Sequence, residues 1–326
     1  MSLIISVVIP AYKVKKYILD VVGKIGPEVN TIIIVDDSCP EFTGDYVQAN
    51  CTDERVVILK NGFNLGVGGA VMAGYKRALN EGADIIVKID GDGQMDPSLI
   101  LNFVLPIINN EADYTKGNRF FDLEGLDAMP RLRLFGNAAL SFISKFSTGY
   151  WNLFDPTNGY TAISAELVRR LPFEKISNRY FFESDILFRL NLLKAVVVDV
   201  PMTAVYLGEI SNLHIKKVFF EFVYKNISNY FKRIFYNFYL RDMSVASVEL
   251  PLGILLLSFG FIYGLVGWWD SASRGMATPV GTIMISAVSI LTGVQFFLAF
   301  LNYDIGSVPS KPISKFKNLY LKKDAN

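Results

Sequence analysis

Short apolar runs rich in β-branched residues alternate with longer helical patterns over the first 200 residues of the chain. Such runs predict buried strands, here over residues 3–9, 31–36, 55–60, 83–89, 112–118, 159–164 and 195–200. Helical patterns separate the first five strands, at about 15–24, 40–50, 66–81 and 97–109. This alternation predicts an α/β domain with a mostly parallel sheet and crossover helices. Ligands of such sheets bind beyond the carboxyl ends of the strands.

Two uncharged stretches follow in the last quarter of the chain. The first, from Leu250 to Trp269, is long enough as a helix to cross the hydrocarbon core of a bilayer. The second runs from Gly275 to Tyr303. Two membrane spans are the simplest interpretation, and a buried helical hairpin is the alternative.

A basic, aromatic-rich segment precedes these spans. Over residues 214–241, apolar side chains recur at three- and four-residue spacing, and Lys and Arg occupy much of the rest. The pattern predicts an amphipathic helix at the level of the lipid headgroups, with docking on the soluble domain or a neighbouring subunit as the alternative. The predicted organisation is a catalytic domain over 1–210, a juxtamembrane helical segment over 211–243, two transmembrane helices over 244–304 and a basic tail over 305–326.

The charges on either side of the spans predict their orientation. Six basic residues precede the first span within residues 216–241, and five follow the second within residues 311–323, whereas the loop between the spans holds only Asp270 and Arg274. The N-terminal run LIISVVIPAY has no basic region before it and is broken by Pro10, so it is a strand rather than a signal peptide. We therefore expect an integral membrane protein with both termini and the N-terminal domain in the cytoplasm.

Composition excludes several kinds of chemistry. The formal net charge of +1 gives no support for a nucleic-acid partner. His214 is the only histidine, which excludes a histidine-based triad and a His-rich zinc site in the soluble domain. Cys39 and Cys51 do not form a CxxC pattern and are expected to be free thiols.

Three carboxylates crowd the sequence VKIDGDGQMDP at the end of the fourth predicted strand. Asp96 stands before Pro97 and is a predicted helix N-cap. Asp90 and Asp92, separated by one glycine, can converge on a hard cation such as Mg²⁺, which takes one or two carboxylates plus substrate phosphates. A capped loop without metal is the alternative. Asp36 and Asp37 close the second strand and extend the same polar rim.

Glycines around Gly66 precede a predicted helix, but they fit neither a dinucleotide fingerprint nor a P-loop. They allow close approach of the backbone to a ligand or tight helix packing, and the sequence does not decide between these.

Six motifs carry a resemblance to a known family. They are Ile9-Pro10-Ala11-Tyr12, Val35-Asp36-Asp37-Ser38, Asn64-Leu65-Gly66 with Gly69-Ala70, Asp90-Gly91-Asp92-Gly93-Gln94, Gly117-Asn118-Arg119 and Asp155-Pro156-Thr157-Asn158-Gly159-Tyr160. In this order and spacing the chain resembles the family-two glycosyltransferases. Within them it is similar to the dolichyl-phosphate mannose synthase branch and to GtrB-type bacterial polyprenyl-phosphate glycosyltransferases, which have two C-terminal spans.

The resemblance implies a GT-A fold, a Rossmann-like nucleotide-sugar domain, and a set of site residues. The implied donor-binding residues are Pro10, Ala11, Tyr12, Asp36, Asp37, Gly66, Asp90, Gly91 and Asp92. Asp90 and Asp92 would bind Mg²⁺ or Mn²⁺, Asp92, Gln94 and Asp155 would be catalytic, and Arg119 and Arg133 would bind the acceptor phosphate. For Asp155 a turn-forming role before Pro156 is the alternative. The chain departs from its relatives at Lys13-Val14-Lys15, where Asn-Glu-Glu is common.

The implied activity is inverting transfer of a single sugar from a nucleotide diphosphate sugar, with UDP-glucose favoured, to a polyprenyl phosphate. The expected location is the cytoplasmic face of a bacterial inner membrane. The alternatives are transfer of mannose from GDP-mannose and a non-catalytic sugar-nucleotide-binding scaffold. A processive synthase is disfavoured because the chain has no Q-x-x-R-W pattern. Homo-oligomerisation is left open.

Overall fold

The computed structural model describes residues 3–121, 131–203 and 215–315. Within these ranges seven strands form one sheet. The strands are β1 (Ile5–Ala11), β2 (Thr31–Asp36), β3 (Val56–Lys60), β4 (Ile85–Lys88), β5 (Tyr114–Asn118), β6 (Thr161–Ser164) and β7 (Val197–Pro201). Each begins and ends within two residues of its predicted range.

Helices connect and cover these strands. In the described part of residues 1–192 they are α1 (Ile18–Gly23), α2 (Thr43–Asn50), α3 (Val67–Asn80), α4 (Ile100–Ile108), α5 (Arg131–Thr148), α6 (Ala165–Arg170) and α7 (Phe182–Leu192). The four crossover helices predicted from the sequence correspond to α1 to α4, the last of them preceded by a short 3-10 turn at Pro97–Leu99.

The strand order is β3-β2-β1-β4-β6-β5-β7, and only the pairs that involve β6 are antiparallel. The prediction of an α/β fold with a mostly parallel sheet is therefore confirmed. Because β6 runs against its neighbours, its amino end meets the carboxyl ends of β1, β2, β4 and β5 at one edge. The pairs Ala11–Asp36 and Lys88–Thr161 mark this edge.

Apolar side chains alternate between the two faces of the sheet. Val7 and Ile9 of β1 point to one face, where they join the apolar core that includes residues of α1 and α4. Val8 points to the other face, against α3. The contact is so close that a Cβ on Gly74 would lie 2.3 Å from Val8 Cγ1, so glycine is needed there. Helices on both faces bury the central strands, which explains their continuous apolar runs.

The chain divides into two compact units, Met1–Tyr230 with Pro309–Asn326 and Phe231–Val308. The second unit contains α9 (Val245–Ser273) and α10 (Val280–Gly306), the two apolar helices predicted from the sequence. Both are long and apolar enough to cross a membrane, and most of their side chains are exposed rather than buried in a protein core. They pack as an antiparallel hairpin on small residues, since a Cβ on Gly253 would lie 3.2 Å from the carbonyl oxygen of Gly293.

The predicted amphipathic segment forms α8 (Ile215–Phe235) and a π-helical turn at Tyr236–Arg241. One side of α8 contacts the rest of the first unit through the buried ring of Phe222, which packs edge-to-face on Phe181, and through polar groups. Asn226 Oδ1 accepts a hydrogen bond from Ser147 Oγ (2.5 Å), and Asn229 Nδ2 donates one to Asp185 Oδ1 (3.1 Å). Other residues of α8 point to solvent, and the large apolar ones within the first unit are Phe220, Tyr224 and Ile227. The helix therefore packs on the rest of the first unit and also presents an apolar, aromatic surface.

The segment after α10 returns to the first unit. The backbone N–H of Ile313 donates to both carboxylate oxygens of Asp113 (2.9 and 3.0 Å), and the Ile313 side chain is buried. The beginning of the predicted tail is thus attached to the catalytic domain, while residues 316–326 lie outside the described part of the chain. The predicted domain boundary at residue 210 also falls outside it.

Candidate active site

The two carboxylates after β4 lie at the edge where the strand ends meet. Asp90 is 29% exposed, and its Oδ1 accepts a hydrogen bond from Lys88 Nζ (2.7 Å). Asp92 Oδ1 accepts from the backbone N–H of Gln94 (3.0 Å), which stabilises the turn that carries both residues. Gly93 has a φ of 77°, a left-handed conformation that favours glycine.

Asp96 has the structural role predicted for it. Its Oδ1 accepts a hydrogen bond from the backbone N–H of Ser98 (2.9 Å), and Pro97 occupies the first helical position. The prediction of a proline-assisted N-cap is therefore confirmed. This leaves Asp90 and Asp92 as the carboxylates of the stretch that can serve a ligand.

The Asp90 and Asp92 pair offers oxygen donors of the kind that hard divalent cations bind. In the described ranges, no group of three or more His, Cys, Asp or Glu side chains is placed to hold a metal ion. Two carboxylates are what Mg²⁺ uses when the phosphates of a substrate complete its coordination. These residues therefore fit Mg²⁺ or Mn²⁺ bound together with a diphosphate.

A buried lysine lies behind Asp90. Lys88 is 1% exposed, and its Nζ donates to the carbonyl oxygen of Gly159 (3.0 Å) as well as to Asp90. Glu183 Oε1, in the first turn of α7, lies 3.8 Å from the same nitrogen. Burial alone would lower the pKa of Lys88, but Asp90 and Glu183 outweigh it, so the pKa lies above its usual value. Lys88 therefore carries its charge inside the domain.

A second buried lysine holds the neighbouring residue of the same loop. Lys116 of β5 donates from Nζ to the carbonyl oxygen of Asn158. Burial lowers the pKa of Lys116 to about 8, although Asp155 and Glu183 partly oppose this. Two ammonium groups thus hold two consecutive carbonyls of the Asp155–Gly159 segment, which connects α5 to β6.

Arg119 and Asp155, both predicted site residues, form an ion pair. Arg119 Nε lies 2.7 Å from Asp155 Oδ2, and its Nη2 lies 3.0 Å from Oδ1, a bidentate geometry. Asp155 is 2% exposed, and Arg119 is 26% exposed. The carboxylate is therefore enclosed, and the guanidinium is the member of the pair that can contact a ligand. Arg133 lies in the first turn of α5, but its side chain is outside the described part of the structure.

Asp199, on β7, adds a half-buried carboxylate near this pair. Its Oδ2 accepts hydrogen bonds from Asn118 Nδ2 (2.9 Å) and from the backbone N–H of Phe154 (3.2 Å). Burial raises the pKa of Asp199 to about 6, against the lowering effects of those bonds and of Lys116.

The carboxylates after β2 hold the loops around the site. Asp36 accepts from the backbone N–H groups of Cys39 (2.7 Å) and Gly44 (2.6 Å). Asp37 accepts from those of Leu65 (2.9 Å) and Gly66 (2.7 Å). Both are buried and shape the walls of the site, and their contact with a nucleotide stays a prediction.

The remaining predicted donor residues lie at the same edge. Tyr12 is exposed at the rim, whereas the side chain of Ala11 is buried, so only its backbone can reach a ligand. Gly91 packs closely, because a Cβ there would lie 3.0 Å from Ile18. Gly66 has a φ of 85°, and a Cβ on it would lie 2.7 Å from the carbonyl oxygen of Asn178. Gly66 thus packs against the loop that contains Asn178 and Arg179. Pro10 immediately precedes this rim on β1.

The sequence did not indicate Lys88, Lys116, Glu183 or Asp199 as parts of this site. A charged residue inside an otherwise apolar strand is a usable signal, since it must find a partner if buried. Lys88 fits this description in IIVK, whereas Lys116 lies in the polar strand YTKGN and has no such signal. Glu183 and Asp199 carry no comparable local signal.

Comparison with known proteins gives a family match and several relatives. Residues 6–171 match the model of the family described as Glycosyl transferase family 2. A relative from Methanococcus voltae, named UDP-N-acetylglucosamine--dolichyl-phosphate N-acetylglucosaminyltransferase, is 32% identical over 217 residues, 62% of this chain and 86% of the relative. A relative from Micrococcus luteus, named undecaprenyl-phosphate mannosyltransferase, is 29% identical over 202 residues, 61% and 82% of the two chains.

Solved structures share the fold at low sequence identity. The glucosyl-3-phosphoglycerate synthase of Mycobacterium tuberculosis, solved with Mn²⁺, UDP-glucose and phosphoglyceric acid, superposes with a TM-score of 0.51 at 18% identity, covering 71% of this chain and 79% of that one. The mannosyl-3-phosphoglycerate synthase of Rubrobacter xylanophilus gives a TM-score of 0.53 at 17% identity, covering 74% and 77%. The GT-A type of fold expected from the sequence is thereby confirmed.

Proposed function

The chain belongs to glycosyl transferase family 2, and from this premise we propose that it transfers one sugar from a nucleotide diphosphate sugar to a polyprenyl phosphate. The observation that carries the proposal is the convergence of the polar strand ends on one edge. Asp90 and Asp92 lie there beside the Asp155–Gly159 segment, and Arg119 lies on the same edge. The names of the Methanococcus voltae and Micrococcus luteus relatives point to the same class of acceptor.

The donor occupies the side of the site formed by the ends of β1, β2 and β4. In this proposal Pro10, Ala11 and Tyr12 contact the base and ribose, and Asp36 and Asp37 hold the loops on which that contact depends. Gly66 and Gly91 allow the backbone to pack closely around it. Asp90 and Asp92 hold the diphosphate through Mg²⁺ or Mn²⁺.

The bound cation would stabilise the negative charge that develops on the leaving diphosphate. The protein's contribution is to present Asp90 and Asp92 on a short, hydrogen-bonded turn, so that little rearrangement is needed when the donor binds. Gln94, whose backbone N–H closes that turn, is placed to face the sugar or the acceptor.

The acceptor is a phosphate monoester, and we propose that Arg119 binds it together with Arg133. Arg119 is partly exposed while Asp155 is enclosed, so Asp155 acts through Arg119 as a positioning residue rather than by touching the acceptor. A guanidinium held at two of its nitrogens presents its remaining edge in a defined direction. Such a group is suited to a phosphate at the membrane surface.

The chemical step needs no strong general base. A phosphate monoester has a second pKa of about 6, so its oxygen is already anionic near neutral pH. That oxygen forms the bond to the anomeric carbon while the bond from this carbon to the donor's β-phosphate oxygen breaks. The nucleoside diphosphate leaves with the electron pair, and the anomeric configuration is inverted.

The membrane arrangement agrees with a lipid acceptor. The first unit is left at Tyr230 and entered again at Pro309, so both ends of the apolar hairpin connect to the catalytic domain. This connectivity, together with the basic flanks, supports a catalytic domain and both termini on the cytoplasmic side of the cell's inner membrane. The exposed Phe220, Tyr224 and Ile227 of α8 would contact the lipid interface.

Three nucleotide sugars are candidate donors. We place UDP-glucose first, with UDP-N-acetylglucosamine and GDP-mannose as competing donors because the two relatives are named for GlcNAc and mannose transfer. A scaffold that only binds the nucleotide sugar is the alternative outside catalysis.

The test uses the purified full chain in detergent with polyprenyl phosphate, Mg²⁺ or Mn²⁺ and each radiolabelled donor in turn. We expect one donor to label the lipid, and we expect nucleotide release to require both the lipid and the metal. EDTA should stop both signals. Tight donor binding without lipid-dependent nucleotide release would support the scaffold instead.

A further inference from the structure

Lys88 connects two parts of the site that are distant in sequence. Its Nζ donates to Asp90 Oδ1 (2.7 Å) on one side and to the carbonyl oxygen of Gly159 (3.0 Å) on the other. The ammonium is enclosed, since the side chain is 1% exposed. A buried ammonium is costly unless paired, so these contacts are a requirement of the fold rather than optional surface interactions.

The packing around this contact is close. A Cβ built on Gly159 would lie 2.5 Å from both Asp90 Oδ2 and Lys88 Nζ. The backbone of Gly159 therefore closes directly on the carboxylate and the ammonium. Because Lys88 directs one carboxylate oxygen inward, it limits the orientations available to Asp90.

We infer that Lys88 is a positioning residue that orients Asp90 for binding a metal–nucleotide complex and couples it to the Asp155–Gly159 segment that holds Arg119. The inference rests on the proposed function, because it assigns Asp90 to the donor diphosphate. Groups that orient metal ligands commonly change metal affinity or activity by about 10–100-fold when they are removed.

A competing electrostatic effect has the opposite sign. Removing a positive charge beside Asp90 would by itself strengthen the binding of a cation. The positioning role predicts weaker binding instead, because Asp90 would lose the hydrogen bond from Lys88 Nζ that fixes the orientation of its carboxylate. The sign of the change therefore distinguishes positioning from simple charge balance.

Lys116 provides a matched control. It is also a fully buried lysine of the same sheet, and it donates to the adjacent carbonyl of Asn158. Its ammonium is hydrogen-bonded to the loop without being paired to Asp90 in the structure. Lys88→Met and Lys116→Met thus remove the same group from neighbouring positions, one beside the carboxylate and one not.

The experiment measures the affinity of the full chain in detergent for UDP by calorimetry, with Mn²⁺ and in EDTA. For the wild type, we expect Mn²⁺ to tighten UDP binding. In Lys88→Met, this metal-dependent tightening should fall by about tenfold or more while the affinity in EDTA stays within about twofold. Lys116→Met should keep the wild-type tightening.

Gly159→Ala is the second variant, and it covers the case in which Lys88→Met does not fold. It keeps every charge but forces Asp90 and Lys88 away from the loop, and the same loss of metal-dependent tightening is expected. Undiminished tightening in Lys88→Met or in Gly159→Ala would overturn the inference, as would an equal loss in Lys116→Met. A wild type that transfers no sugar and shows no metal-dependent binding would instead overturn the proposed function on which the inference rests.

Discussion

Substituting Asp155 by asparagine should destabilise the catalytic domain and impair use of the lipid acceptor. The change keeps the size of the side chain but removes the charge that pairs with Arg119 at 2.7 and 3.0 Å. It leaves a guanidinium whose principal partner is neutral.

The expected magnitude follows from the burial of the pair. Removing one member of a fully buried ion pair costs about 3–5 kcal/mol. Here Asp155 is enclosed but Arg119 is 26% exposed, so water can partly solvate the remaining charge. We therefore expect a loss of about 2 kcal/mol, below the fully buried range. For a domain of this size, that corresponds to a fall in Tm of roughly 4–8 °C.

The assay is thermal unfolding of the full chain in detergent, arranged as a double-mutant cycle with Arg119→Gln. If the pair acts as described, the double variant should be little less stable than either single variant, and the coupling energy should be about 2 kcal/mol. Asp53→Asn is a matched control. The Asp53–Arg55 pair has the same short geometry (2.8 Å), but both members are about a quarter exposed, so the loss should stay below about 1 kcal/mol.

The same variant has a kinetic signature. Because Asp155 positions Arg119, Asp155→Asn should raise the KM for polyprenyl phosphate while the affinity for UDP in Mn²⁺ stays near that of the wild type. Additive effects of Asp155→Asn and Arg119→Gln on stability would refute the pairing argument. An equal loss of UDP affinity would refute the assignment of the pair to the acceptor side.

Three further substitutions test other parts of the account. Asp92→Asn should keep the wild-type Tm, since the residue lies on a partly exposed turn, but should abolish sugar transfer measured by lipid labelling; full turnover would remove the carboxylate from the mechanism. Asp199 has a pKa of about 6 in the folded state, above its usual 3.8. The folded state therefore loses stability as the pH rises from about 4 to 6, because the unfolded state releases this proton more readily. Asp199→Asn should therefore raise the free energy of unfolding at pH 8 by up to about 3 kcal/mol, seen as a higher Tm, with little gain at pH 4. An equal gain at both pH values would contradict this. Arg233 and Asp304 form an ion pair in which each side chain is 1% exposed. Asp304→Asn should therefore lower the free energy of unfolding by about 3–5 kcal/mol, whereas replacing Arg233 by Met and Asp304 by Leu together should recover most of that loss. If the double variant recovers nothing, the charges stabilise the fold by more than compensating each other.

The strands were predictable because their chemistry is local. Buried parallel strands need continuous apolar runs, and the runs that end at Ile9 and Asp36 show this without reference to the rest of the chain. The proline-assisted cap at Asp96 is equally local. The two apolar helices were predictable for the same reason, since length and lack of charge are properties of one segment.

Contacts between distant segments were not predictable in this way. The apolar spacing of residues 214–241 predicted an amphipathic helix but not the partners of α8, which are Phe181 for Phe222 and polar groups for Asn226 and Asn229. The hydrogen bonds of these two asparagines depend on Ser147 and Asp185, whose positions only the folded chain defines. The attachment of Ile313 to Asp113, 200 residues away in sequence, is of the same kind.

The candidate site also combines local features, which the sequence shows, with contacts between distant segments, which it does not show. Its motifs could be found in the sequence, because each is a short run of residues at the end of a strand. The charged side chains that support them could not be found in this way. Lys88 meets Gly159 across 71 residues, and Arg119 meets Asp155 across 36. The sequence showed Arg119 and Asp155 as separate candidates with different roles, and only the structure shows them as one ion pair.

The mass of the lipid product shows most directly whether this chain attaches one sugar to a polyprenyl phosphate. Purified full chain is incubated with polyprenyl phosphate, a metal ion and the donor that labels lipid, and the product is analysed by mass spectrometry while released nucleotide is quantified. We expect a lipid heavier by one sugar residue that retains a single phosphate, with one nucleoside diphosphate released per lipid modified. A lipid carrying a sugar polymer, a lipid diphosphate with release of nucleoside monophosphate, or an unmodified lipid would contradict it.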